Sequence, residues 1–169
     1  MADEAFEGFS GYGFSLRDEK GRFAIPVDFR SDLKQASDGR KTICLDIHPD
    51  WECASAFGLS RRRDIKSIIA QAREDARENN ERFDRLELTA QLTGFSKIAF
   101  DDSGRFVMPS DLLEDCGIED AIYWHAVDDH IALFNPEILY DRGPRFMRNR
   151  CRRAEREARA KAAAKAKKS

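Results

Sequence analysis

Asp18-Glu19-Lys20-Gly21-Arg22-Phe23-Ala24-Ile25-Pro26 returns later in the chain as Asp101-Asp102-Ser103-Gly104-Arg105-Phe106-Val107-Met108-Pro109. Asp, Gly, Arg, Phe and Pro keep their spacing. Beyond the motif, Asp28 matches Asp111 and the apolar Phe29 matches Leu112. A repeat of this kind implies two copies of one supersecondary unit related by a pseudo-twofold axis. Each copy sets an arginine directly after a tight turn, at the start of an outgoing strand. The Asp side chain can bond its own turn, and Gly21 suits the positive φ of a bulged turn, with Gly104 at the same place in the second copy. The planar fork of Arg22 or Arg105 can grip phosphate or guanine bidentately, which lysine cannot do. The plainer reading is that Asp and Gly make the turn and Arg pairs with Asp. Two equivalent arginines suit a partner that is itself two-fold or periodic, and duplex DNA is the commonest of these.

Around the motif the elements fall in the same order twice. Phe14 to Arg17 and Arg22 to Ile25 read as strands paired across the first turn. Pro26 opens a short helix through Leu33, because its missing N–H is not needed there. Ser37-Asp38-Gly39 ends that helix and Lys41 to Ile47 is a strand. In the second half, Lys97 to Phe100 and Arg105 to Met108 pair across their turn. Pro109 opens a helix that Gly117 closes, and Ala121 to Val127 pairs with Ile131 to Asn135 across Asp128-Asp129. Between the halves, Ser60 is placed to cap a helix with Ile65, Ile68, Ile69, Ala72 and Ala76 at helical spacing. Asn79-Asn80 interrupts it, and Phe83, Leu86 and Ala90 suggest a second helix that packs with the first and bridges the halves.

Bulk properties bound the function. The 169 residues are 41% hydrophobic and 36% charged, with a net charge of −2. From Arg142 to Ser169 there are twelve Lys and Arg against Glu155 and Glu157, a local charge of +10, so the remainder carries −12. An acidic body therefore bears a basic tail, a common device for phosphate contact or for binding an acidic surface. From Arg148 the tail is rich in Ala, Arg and Lys, with high helix propensity and almost no apolar face. It reads as a frayed, solvated helix that orders on a partner. No stretch is apolar enough to span a membrane, and the acidic start is no signal peptide, which points to a cytoplasmic protein. Cys44, Cys53, Cys116 and Cys151 are scattered and read as free thiols, not as a disulfide frame or a metal site.

Catalysis has little support. His48, His125 and His130 stand apart in sequence without ligand spacing. His125 reads as a strand side chain and His130 as a turn residue. Cys44 and His48, separated by a strand and followed by Pro49, do not make a nucleophile and base. Gly8, Gly11 and Gly13 lack the following helix of a phosphate loop. Arg61-Arg62-Arg63 sits at the end of a helix that disfavours positive charge, and reads as a solvated face. Tyr123 and Trp124 are adjacent on a strand, so one ring points inward and the other outward, against a neighbouring subunit or solvent. No catalytic residue, metal, cofactor or small-molecule ligand is expected.

The two motif stretches resemble a known family. Phe14-Ser15-Leu16-Arg17-Asp18 through Pro26 is similar to the first motif of MraZ proteins. Ile98-Ala99-Phe100-Asp101 through Asp120 is similar to the second, and the resemblance runs from about Phe9 to Leu139. It implies an α+β fold: two tandem AbrB-like β-hairpin/helix units forming a pseudo-symmetric swapped-hairpin (double-split) β-barrel, with a helical insert. On this reading residues 1–8 are a flexible leader, 9–59 the first unit, 60–93 the insert, 94–141 the second unit and 142–169 a basic, largely disordered or helical tail. The resemblance further implies a ring-shaped homo-oligomer, nucleoid-associated, that binds repeated sites in double-stranded DNA upstream of the division and cell-wall gene cluster and regulates transcription. Arg22 and Arg105 would contact DNA, with Asp18 and Asp101 as their partners and Lys20 on a phosphate. The chain departs from the family where acidic Glu19 and Asp102 stand in place of basic or small residues, and where bulky Tyr123-Trp124-His125-Ala126 replaces a glycine-rich hairpin. The stretch Asp50-Trp51-Glu52-Cys53 is also atypical. A reading from another class is an oligomeric protein-interaction module, antitoxin-like or a scaffold, whose basic tail gives sequence-blind affinity for DNA.

Overall fold

The computed structural model describes residues 6–168. In chain order it contains β1 (Tyr12–Leu16), β2 (Phe23–Ala24), α1 (Val27–Gln35), β3 (Thr42–Ile47), β4 (Ala54–Phe57), α2 (Arg61–Glu78) and α3 (Arg85–Thr93), then β5 (Ser96–Ala99), β6 (Arg105–Phe106), α4 (Ser110–Asp115), β7 (Ala121–Val127), β8 (His130–Phe134), α5 (Pro136–Arg142) and α6 (Arg145–Lys167). The first five residues of the expected leader lie outside the described residues. Its described part is docked: Phe6 packs on Phe9, ring centroids 4.6 Å apart, and the buried Phe9 donates its N–H to the Asp128 carbonyl.

The fold is α+β. Six strands form a sheet in the order β1-β7-β8-β4-β3-β5, and β2 and β6 form a separate two-stranded ribbon. Every pairing is antiparallel. The order is a palindrome under the repeat. Exchanging β1 with β5, β3 with β7 and β4 with β8 reverses the list onto itself, and the seam between β4 and β8 marks the axis.

The repeat loops do not close simple hairpins, contrary to the sequence expectation. Asp18 N–H reaches Arg22 O at 2.8 Å and Asp101 N–H reaches Arg105 O at 3.1 Å, and then the strands diverge. β1 pairs with β7 of the second half, and β5 pairs with β3 of the first. Among the described residues β2 pairs only with β6. Because the ribbon strands satisfy each other, they do not join the sheet edges. Among the described residues the sheet therefore stays open at β1 and β5 and is not a closed barrel.

Alternation along β7 sends Trp124 and Tyr123 to opposite faces, and both are fully buried. On one face Trp124 packs with Phe29 of α1 and Phe106 of the ribbon, and its Nε1–H donates to Ser15 Oγ at 2.8 Å. On the other, Tyr123 joins Phe134, Leu139, Met147 and Cys151 in a second core. The expectation of an outward ring therefore fails, because α5 and α6 cover that face. The tail expectation fails with it over its first half: Met147, Cys151 and Ala154, spaced i, i+4 and i+7, are buried, as expected for one helical stripe against a sheet.

The insert forms a helical pair. Ile65, Ile69 and Ala76 of α2 are buried, whereas α3 buries nothing. Asp84 caps α3 through Glu87 N–H, but the Ser60 side chain makes no cap bond to α2. Ser60 instead donates its N–H to Ala36 O and so ties the insert to the end of α1.

Candidate nucleic-acid interface

The two motif turns have the same internal wiring. In the first, Asp18 Oδ1 accepts the backbone N–H of Lys20 at 2.9 Å and of Arg22 at 2.8 Å, and Gly21 N–H bonds Asp18 O at 3.0 Å. Asp18 Oδ2 takes Arg22 Nε at 2.9 Å. In the second, Asp101 Oδ1 accepts Ser103 and Arg105 N–H, both at 2.9 Å, and Oδ2 takes Arg105 Nε at 3.0 Å. Gly21 and Gly104 have φ of 78° and 75°, the left-handed region that only glycine enters without strain. The Arg22 backbone N–H, then its guanidinium and the Lys20 N–H, hold the Asp18 carboxyl below its ordinary value. The Arg105 and Ser103 N–H groups and the Arg105 guanidinium do the same for Asp101. Both carboxylates are thus spent on the turn and on one edge of the guanidinium. The plain pairing of Arg with Asp is present, and it leaves the other edge unused: among the described residues neither arginine has a partner for its η nitrogens.

The ribbon places the two arginines together. Phe23 lies opposite Phe106 and Ala24 opposite Arg105, with both phenylalanines buried. Side chains alternate along a strand, so Arg22, Ala24, Arg105 and Val107 share the outer face. Continuing the register sets Arg22 opposite Val107 and diagonal to Arg105, about 7–8 Å away. Val107 is 60% exposed. Lys20 is exposed at the first turn.

Two further arginines flank the turns, and sequence reasoning missed both. Arg17 reaches Gly21 O and Glu119 O, each at 3.4 Å, and lies over the Phe23 ring at 5.8 Å. Arg30 of α1 donates Nε–H to Ile25 O at 2.7 Å and lies directly against Gly104. Helical spacing in α1 marks Phe29 and Leu33 as buried, but gives no sign that Arg30 crosses to the other repeat. The acid beside the second arginine is partly neutralised: Lys41 Nζ meets Asp102 Oδ1 at 2.5 Å and pulls that carboxyl down.

The histidines read as separate are not all separate. Strand pairing brings the ends of β3 and β8 together, and His48 Nε2 lies 3.1 Å from His130 Nε2. His48 Nδ1 accepts N–H bonds from Asp50 and Trp51 at 3.1 and 3.0 Å, so its proton sits on Nε2 and points at His130. His130 Nδ1 then donates to Asp129 at 2.7 Å. Trp51 stacks on His48 at 4.9 Å. This hydrogen-bonded chain ties the β3–β4 turn to the start of β8. With both His48 nitrogens engaged, it offers no metal clamp. All four cysteines are buried, and burial raises their thiols, Cys44, Cys116 and Cys151 to about 11. None has the electropositive, accessible setting of a nucleophile. No helix among the described residues is long and apolar enough to cross a membrane.

No protein-family model matches the chain. It is similar to the transcriptional regulator MraZ of Rhodospirillum rubrum, 27% identical over 125 residues that span 72% of this chain and 76% of that protein. It is also similar to the transcriptional regulator MraZ of two strains of Rickettsia bellii, 26% identical over 108 residues, 62% of this chain and 65% of theirs.

Proposed function

Because the chain belongs to the MraZ family, we propose that it is a DNA-binding transcriptional regulator that reads duplex DNA with the outer face of its β2–β6 ribbon. The observation that carries this reading is the pair of matching turns, each holding an arginine by its Nε edge, set diagonally on the outer ribbon face with Arg105 exposed and Arg22 half-buried. A two-stranded antiparallel ribbon fits the major groove. An arginine braced by a carboxylate presents its remaining N–H edge in a fixed direction, suited to guanine or phosphate. Lys20 adds charge for a phosphate, and Asp18, Asp101, Gly21 and Gly104 hold the turns in shape.

The strand exchange between halves supports an AbrB-like swapped-hairpin assignment, with units at 9–59 and 94–141 around the insert 60–93. Two arginines on one ribbon make a small contact. Repetition around a ring of subunits on repeated sites supplies avidity, since later contacts are effectively intramolecular. The division and cell-wall gene cluster is the proposed target. The acidic remainder of the chain is compatible with this, since only the ribbon face must meet the phosphates.

The test is fluorescence anisotropy on DNA from upstream of the protein's own gene and on a scrambled duplex. Preference for the native duplex, lost in the Arg22→Ala/Arg105→Ala double variant, is the expected result. Undiminished preference in that variant refutes the ribbon as the reading surface.

A further inference from the structure

We propose that the far end of α6, from Arg159 to Lys168, is a second DNA contact, a sequence-blind clamp on the phosphates beside the ribbon. The proposal rests on the DNA-binding reading above and concerns a part of the chain that the repeat motif does not reach.

The helix has two physically different halves. Met147, Cys151 and Ala154 anchor the first half over Tyr123 and β1. From Arg159 onward every residue through Lys168 is exposed. This stretch contains Arg159, Lys161, Lys165, Lys167 and Lys168 with no acid among them. Alanine and lysine keep it helical without packing, over about 15 Å at the usual rise. Arg159 is partly engaged by Glu155 at 2.8 Å, whereas the four lysines have no ion pair among the described residues.

Its position selects the partner. Midway along α6, Glu157, Lys161 and Ala162 face Ala24, Val27 and Arg30 across an open groove of about 540 Å³. Ala24 stands on the outer ribbon face directly opposite Arg105, and Arg30 lies against Gly104. The groove thus joins the helix to the proposed reading face. An acid-free cationic rod leaving the body there meets whatever the ribbon meets. Duplex DNA presents one negative charge per about 1.7 Å of axis, and it is bound through counterion release by such lysines. Phosphate contacts position a protein without reading sequence, so the two surfaces divide the work.

The experiment uses the full chain with Lys161, Lys165, Lys167 and Lys168 all changed to alanine. Alanine preserves helix propensity, and circular dichroism confirms retained helix. Binding to native and scrambled duplexes is titrated across salt concentrations for the wild type, this variant and the Arg22→Ala/Arg105→Ala variant. The expected result is an equal affinity loss on both duplexes, an unchanged preference ratio, and a log K against log salt slope shallower by about two to four. An unchanged slope overturns the clamp while leaving the ribbon reading intact. So does an unchanged slope with an altered oligomer mass, which would assign the lysines to the acidic face of a second copy. If the tail variant loses the salt dependence but the arginine variant keeps full preference, the clamp stands and the ribbon reading falls.

Discussion

Phe23 and Phe106, which hold the same place in the two copies of the repeat, face each other across the β2–β6 ribbon with ring centroids 6.4 Å apart. The pseudo-twofold axis therefore passes between them. Their burial fixes which face of the ribbon looks outward, and hence fixes Arg22 and Arg105 on the same side. A one-residue slip of either strand would turn that strand's arginine into the core, so the aromatic pair sets the geometry of the proposed DNA face as well as the fold.

Replacing Phe106 with alanine should cost about 3–5 kcal/mol, the usual range for a large buried aromatic. Urea unfolding measures it. Arg105 would be retained in sequence, yet DNA preference at a temperature where the variant is folded should also fall, because the ribbon loses its register. A folded Phe106→Ala protein with normal preference would detach reading from ribbon geometry.

The two motif glycines should respond differently to the same change. Both have positive φ, so alanine at either carries backbone strain of about 1–2 kcal/mol. A Cβ at Gly21 meets nothing closer than 3.7 Å, whereas at Gly104 it would collide with Nε and Cδ of Arg30. Arg30 must then give up its bond to Ile25 O. We expect Gly104→Ala to be the more destabilising in thermal melts. Adding Arg30→Ala should shrink the difference between the two sites. Equal melting shifts for the single variants would contradict the close approach.

The repeat was legible because Asp, Gly, Arg, Phe and Pro each do something local: bond a turn, take positive φ, grip, fill the core, open a helix. Partner choice was not. Asp18 shows that a turn forms, but nothing local shows that β1 then leaves for β7 while β2 leaves for β6. That exchange is decided by burial on both faces of the central strands. Arg30 and Gly104 meet only as a result of it. So do His48 and His130, which lie far apart in sequence and hydrogen-bond in space. The tail hides its packing for a related reason. Its basic composition outweighed the stripe of Met147, Cys151 and Ala154, which is visible only once helical spacing is applied to a stretch with few apolar residues.

His48 should make stability sensitive to mild acid. Burial, then the neighbouring His130 and Arg61, lower its proton affinity from the ordinary 6.5, against the opposing pull of Asp50 and Asp129. The unfolded chain therefore takes up a proton before the folded one, and stability falls as pH drops below about 6.5. Protonation would also set a new N–H against the backbone donors of Asp50 and Trp51. His125 is lowered by burial and by Arg150 and adds in the same direction. Asparagine at position 48 supplies an oxygen near the place of Nδ1 and does not titrate. Melting temperature followed from pH 7.5 to 5 should fall less steeply in His48→Asn than in the wild type. Parallel profiles would remove His48 from the acid response.

The two halves of α6 should separate stability from binding. Met147 is buried in the second core with Tyr123 and Leu139, so Met147→Ala should cost about 2–5 kcal/mol. A chain ending at Ala160 keeps that anchor and removes Lys161, Lys165, Lys167 and Lys168. Its unfolding free energy should stay within about 0.5 kcal/mol of the full chain, as for surface changes elsewhere, while its DNA affinity becomes less dependent on salt. Chemical denaturation and salt titration on the same three proteins make the comparison. A truncated chain destabilised as much as Met147→Ala would mean that the lysine-bearing end holds the fold together and is not free to meet phosphate.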